Sequence, residues 1–242
     1  MTSLVLAAGL WLAAQPVPAA AAASGVWWSA EALHLRSLSE VDSRLHDPLT
    51  DLPKVVSGAE PPRAVQNCAD LIELTQHRFH LQPDDGVSWR GFESEAAKCF
   101  ALSTLKNAKP PTRSYVHWFQ LSPEAVARLP PGMTLASSQD DMADIAAAAK
   151  KCQPLGAYEE NLHVSVKGDA ADVDTDGWSG RIVLYARGDL NGDGLEDLML
   201  LRQGQVKEGT AADSSLFIVT QTSPRGCLKI LRTLPQALGR GR

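Results

Sequence analysis

The sequence predicts an α+β protein, with helices in its first half and an antiparallel β-meander in its second. Three observations lead there. Apolar residues recur at helical spacing as far as Lys151. After Gly156 the period drops to two, or gives way to short runs of Val, Ile and Leu. The gaps between those runs are too short for crossover helices, so neighbouring strands should run antiparallel.

Residues 1–24 carry no charged side chain. An apolar run from Leu4 to Ala14 is followed by Pro16, Pro18 and an alanine tract ending in Ala23. That is the layout of a signal peptide with its small-residue cleavage zone, although no basic residue precedes the run. A retained anchor is the rival reading, because the uncharged stretch continues through Val26, Trp27 and Trp28. The prolines argue against spanning, so no stable membrane insertion is expected after leader cleavage.

Residues 25–155 read as a helical region. Ser29 can cap a helix running through Leu45, which stops before Asp47-Pro48. Beyond a proline-rich stretch, helices are expected over Ala64–Phe79 and Phe92–Leu105, the second closed by Pro110-Pro111. Ser122-Pro123-Glu124 starts a short helix, with serine as cap and proline at its first position. A further helix over Gln139–Lys151 has acidic residues at its start and lysines at its end, which complements its dipole.

Residues 156–236 read as the β region, with 237–242 a flexible tail. Leu162, Val164 and Val166 alternate with polar neighbours in a half-buried strand over Asn161–Val166. Further strands are expected over Arg181–Ala186, Asp197–Leu201, Ser215–Thr220 and Cys227–Leu231. No internal repeat is sustained.

The four cysteines, Cys68, Cys99, Cys152 and Cys227, form no CxxC pair, and an even count suits an oxidising compartment. Three connectivities are open. Helical phase favours one, since Val65, Cys68 and Ile72 share a face, as do Phe92, Ala96 and Cys99. Packing those faces brings Cys68 towards Cys99 and leaves Cys152 for Cys227. The chain has 23 basic and 28 acidic residues and no basic run, so no nucleic-acid partner is expected. A hydrophobic content of 44% rules out global disorder.

The most informative stretch is Gly188-Asp189-Leu190-Asn191-Gly192-Asp193-Gly194-Leu195-Glu196-Asp197. Counting from Asp189, oxygen-bearing side chains stand at positions one, three, five and nine. A hard cation such as Ca2+ takes about six to eight oxygens around one point. Alternate residues of a tight loop converge only where glycines relieve the backbone, as Gly192 and Gly194 would. The expected ligands are Asp189, Asn191, Asp193 and Asp197, with the carbonyl of Leu195. An EF-hand or dockerin loop needs an acidic twelfth residue, and here that position is Leu200.

Strand-like runs flank this loop on both sides. A strand, a DxNxDGxxD loop and a strand resemble the calcium loops of FG-GAP and VCBS-type repeats, over roughly residues 181–203. Those proteins usually repeat the unit, whereas one complete copy is present here. The resemblance therefore implies a single sheet bearing one calcium loop. A second run, Asp172, Asp174 and Asp176, has the same one-three-five spacing but Gly180 at position nine. It reads as a solvated turn, with a weaker metal site as the alternative.

Catalytic signals are sparse. Ser103 and Lys106 match SxxK without the partner motifs that chemistry needs, and a core serine is the simpler account. Glu73, His77 and His80 could share a helical face as a zinc trio, yet HExxH is absent and solvated histidines are expected. Trp27 and Trp28 are expected as a leader-proximal anchor or core element rather than a sugar platform. These readings together predict an exported, periplasmic or secreted, calcium-binding and non-catalytic protein that acts on a protein partner. The first alternative is an inhibitor or immunity protein directed against a cell-wall hydrolase. Ser179-Gly180 with Tyr185 resembles, at longer spacing, the Ser-Gly-x-Tyr loop of some such inhibitors. The second alternative is a secreted hydrolase without a local motif.

Overall fold

A computed structural model of the chain describes residues 25–49, 54–56, 63–76, 80–82 and 89–234. The expected leader, residues 1–24, and the tail, residues 237–242, lie outside them. The centre of the molecule is a seven-stranded antiparallel sheet. Six of its strands follow chain order as a meander. They are β5 (His163–Lys167), β6 (Ala170–Asp174), β7 (Trp178–Gly188), β8 (Asp197–Val206), β9 (Ala212–Thr220) and β10 (Lys229–Leu234). The seventh, β1 (Trp27–Trp28), comes from the start of the described chain and pairs with β7.

Helices thus precede the meander, but they do not form a separate layer beside it. On one face of the sheet lie α1 (Ala30–Leu33), α2 (Val41–Leu45), α3 (Cys68–Gln76) and α4 (Trp89–Lys106). The other face is covered by residues 116–135 with α5 (Pro123–Ala127), and by Leu155 of α7 (Leu155–Tyr158). Sequence and burial agree on why. In β8, Met199 and Leu201 enter the first core while Leu198 and Leu200 enter the second. In β9, Leu216 and Ile218 go one way, and Phe217 and Val219 the other. A sheet covered on both faces needs continuous apolar strands. Edge strand β5, by contrast, alternates between exposed and half-buried residues.

The helix expected from Ser29 to Leu45 is broken into pieces. Ser29 does cap α1, its hydroxyl accepting from Ala32 N–H, but His34 turns left-handed (φ 51°) and ends it. A 3-10 turn at Leu38–Glu40 then leads into α2. The cap read at Ser122, with Pro123 behind it, is present at α5, and α6 (Gln139–Lys150) starts on a capping box of Ser138 and Asp141 that the sequence reading did not name. A small sheet of β2 (Lys54–Val56), β3 (Arg63–Ala64) and β4 (His80–Gln82) carried no strand signal strong enough to read.

Two disulfides are present, Cys68–Cys99 and Cys152–Cys227, with Cα separations of 4.9 and 5.6 Å. The first joins α3 to α4 through the buried faces whose phase pointed to it. The second ties the residue after the α6 C-cap to the segment before β10. Such cross-links suit an oxidising compartment outside the cytosol. Among the described residues no helix is long and apolar enough to cross a membrane.

Two arginines of the sheet hold the second covering layer by polar bonds. Arg202 meets both oxygens of Asp213 at 2.7 and 2.6 Å and donates to the carbonyls of Met133 and Thr134. Arg187 pairs with Glu196 at 3.0 Å and donates to the carbonyls of Phe119 and Val116 at 2.7 and 2.9 Å. A planar fork of donors suits such work, because one guanidinium satisfies several buried oxygens at once.

Candidate metal centre

Strands β7 and β8 pair as far as Gly188 and Asp197, and the residues between them form the acidic loop. Gly192 and Gly194 both adopt the left-handed backbone expected of them, at φ 86° and 83°. Gly194 has a second reason to be glycine, since a Cβ there would stand 2.8 Å from the Thr112 hydroxyl.

Short side chains organise the loop from within. Asp189 accepts from Gly192 N–H at 2.7 Å through one oxygen and from Gly194 N–H at 3.0 Å through the other. Asn191 Oδ1 accepts from Asp193 N–H, and Asp193 Oδ1 accepts from Leu195 N–H. Asp197 closes the loop by accepting from Leu190 N–H at 3.2 Å. These bonds are the Asx turns that let a polar chain reverse tightly.

The loop is also docked from outside. Backbone groups of Lys109 and Asp189 exchange hydrogen bonds at 3.0 and 2.9 Å. The Gly194 carbonyl accepts from Thr112 N–H, Arg113 N–H and the Thr112 hydroxyl, while Glu196 N–H donates to Arg113. The Leu195 carbonyl takes none of these bonds. Pro110-Pro111, read from sequence as a helix stop, therefore also keeps this strap extended along the loop.

Electrostatically the loop has an inner and an outer half. Asp189 is buried and Asp197 is fully so, while Asn191 and Asp193 are exposed. Burial pushes the Asp197 carboxyl up to about 6. The nearby Thr220 hydroxyl and the Leu190 N–H oppose that rise, and the charges of Asp193 and Asp189 add to it. Oδ1 of Asp197 is buried without a hydrogen-bond partner, and so is the hydroxyl of Thr220, its register partner on β9.

Among the described residues no three His, Cys, Asp or Glu side chains stand gathered as a metal-binding group. The donor set of the loop nonetheless fits a hard cation. Every oxygen is of the hard type Ca2+ prefers, and an ionised carboxylate offers about four acceptor sites, so its backbone bonds leave lone pairs over. Asp197 adds a buried carboxylate oxygen that makes no well-formed hydrogen bond among the described residues, with the Thr220 hydroxyl lying nearby.

The other residues singled out by sequence are dispersed. Asp172 pairs with Arg181 at 2.7 Å, Asp174 with Lys207 at 3.0 Å, and Asp176 accepts from Asn161 at 2.7 Å. Asp172 and Asp174 are exposed residues of β6 flanking buried Val173, so their spacing is the period of a strand. Lys106 meets Asp42 at 2.7 Å rather than Ser103. Glu73 lies on α3, His80 lies in β4, and His77 falls outside the described residues, so no single helix carries the trio. Ser179 and Gly180 are within β7 and Tyr185 is buried, leaving the inhibitor-like triplet without an exposed loop.

Sequence reading passed over Glu196, which is 3% exposed and ion-paired with Arg187. The available signal was an arginine and a glutamate flanking one hairpin loop, which a buried pair requires and a solvated turn does not. The chain matches no family model, no curated protein and no solved structure.

Proposed function

We propose that the protein is an exported, non-catalytic binding protein whose β7–β8 hairpin is locked by one Ca2+. Asp189, Asn191, Asp193 and Asp197 would hold the ion with the Leu195 carbonyl. The ion would supply positive charge to a loop that carries three carboxylates. The observation that carries the reading is Asp197, fully buried with an unpartnered oxygen at the base of a loop bent by two left-handed glycines. Two disulfides support export, and the Lys106–Asp42 pair supports the non-catalytic side, since it takes the lysine of SxxK away from Ser103.

Calorimetric titration of chelator-treated protein with Ca2+ tests this. One saturable site, lost in Asp193→Ala, is expected. Heat that never saturates, or a site that survives the substitution, refutes it.

A further inference from the structure

Strand β7 is longer than the partners on one of its edges. Along that edge β6 pairs with Ser179 to Val183, and β1 pairs with Ala186 and Arg187. Between them the register of β7 against β8 slips by one residue at Tyr185, a bulge at the point where one partner hands over to the other. A cleft of about 740 Å³ lies along this seam, with Leu184 in its wall. Gly168 and Asp169, in the β5–β6 turn, bound one side and Trp27 of β1 the other. The segment from His117 to Leu121, which Arg187 holds through its bonds to the Val116 and Phe119 carbonyls, also lines it.

We propose that this cleft binds a short neutral oligosaccharide. Its volume falls within the roughly 300–1,000 Å³ of small-ligand sites, too small for a folded partner. Trp27 is 40% exposed, an unusual state for the largest apolar side chain, and it presents an indole on which the C–H face of a sugar ring can stack. Trp118 is a fixed wall. Its indole N–H donates to the Tyr115 carbonyl and to Gln221, and Arg128 covers its ring at 3.7 Å.

The polar lining has the matching chemistry. Arg187 and Glu196 neutralise one another, which leaves the Asp169 carboxylate, the His117 imidazole and uncharged Gln120 as the planar groups that face a ligand. Glu196 pairs through Oε1 only; Oε2 is buried and has no partner, so it lacks a donor. A sugar hydroxyl can donate to the Asp169 carboxylate and accept from Gln120, which is how sugars satisfy both donors and acceptors along one wall. An anionic ligand would meet the charge of Asp169.

This reading names the ligand class of the binding role proposed above and rests on it, yet the two fail separately. A failed calcium titration leaves the cleft untouched, and a failed saccharide titration leaves the metal loop untouched. The test is titration of the full purified chain with three neutral hexasaccharides: β-1,4-glucan, β-1,4-linked N-acetylglucosamine and α-1,4-glucan. Tryptophan fluorescence and calorimetry are the readouts. At least one sugar should bind saturably at millimolar or tighter affinity, and Trp27→Ala should weaken it about tenfold with an unchanged melting temperature. Gln120→Ala, on an exposed side chain, serves as the second variant and should weaken the same sugar. Overturning results are no saturable binding of any of the three, equal binding by both variants, or binding only by an extended peptide control.

Discussion

Two acidic runs of the same spacing meet opposite fates in this molecule. Asp172, Asp174 and Asp176 belong to a strand and the turn after it. Asp189, Asn191 and Asp193 belong to a loop folded on itself. The first run points its carboxylates at solvent and at Arg181, Lys207 and Asn161. The second turns them onto its own backbone N–H groups. What separates the two is the residues between the acids. Val173 and Thr175 keep the first run extended, with Val173 buried. Gly192 and Gly194 sit at φ values that L side chains rarely adopt, whereas Gly177 does not. Carboxylate spacing alone therefore does not set the shape of a loop; the glycines and the buried ninth residue make the difference.

The comparison can be broken most sharply with calcium. At about 100 times Kd, a ligand that binds only the folded state adds about 2.7 kcal/mol. Melting in calcium and in chelator should differ by that amount in the native chain and in Asp174→Ala. The difference should vanish in Asp193→Ala. An increment that followed Asp174 instead would exchange the roles of the two runs.

Proton binding offers a second contrast, of comparable size. In chelator, folded Asp197 holds its proton more tightly than an unfolded carboxyl, with a pKa near 6. Its contribution is therefore fully present below about pH 4 and lost as pH rises through 6, on the order of 3 kcal/mol. Asp172 has the opposite sign. The hydrogen bond from Arg181 lowers its carboxyl pKa, so its contribution is present at neutral pH and fades on acidification. Denaturant melts between pH 4 and 7 should lose their falling slope in Asp197→Asn and keep it in Asp172→Asn.

Backbone chemistry gives the next effect. Gly194→Ala forces a side chain into φ 83° and against the Thr112 hydroxyl, at a cost of about 1–2 kcal/mol. Gly177→Ala meets nothing within 4 Å and should leave chemical denaturation unchanged. The smallest effect belongs to the Asp174–Lys207 pair, exposed on both partners. A double-mutant cycle should return under about 1 kcal/mol, shrinking further in salt.

Much of the fold was legible because it follows local rules. Strand order came from the short gaps after Gly156, and the cysteine pairing from the phase of Cys68 and Cys99 on their helices. The left-handed glycines came from the loop pattern. What stayed hidden depends on contacts between distant segments. Trp27 and Trp28 carry no strand signal, because two residues hold no period; only β7 makes them a strand. Strand β6 was read as a turn since Asp172 and Asp174 mask the single buried valine between them. Covering the sheet on both faces turned β8 and β9 into unbroken apolar runs, which show burial but not which layer supplies it. The strap from Lys109 to Arg113 was read as a helix stop, and its docking on the acidic loop has no sequence mark.

The placement of β1 also bears on the order in which the chain can assemble. Trp27 is made early in synthesis, while its partner Arg187 arrives only after most of the chain has followed. Local pieces such as the β5–β6 and β7–β8 hairpins can form as soon as they emerge, but this closing contact has a very large sequence separation. Contacts of that kind are entropically late, because the intervening chain must be gathered before they form. Until then two neighbouring indoles remain without their strand, an apolar stretch that a holding chaperone would recognise before pairing with β7 half-buries Trp28.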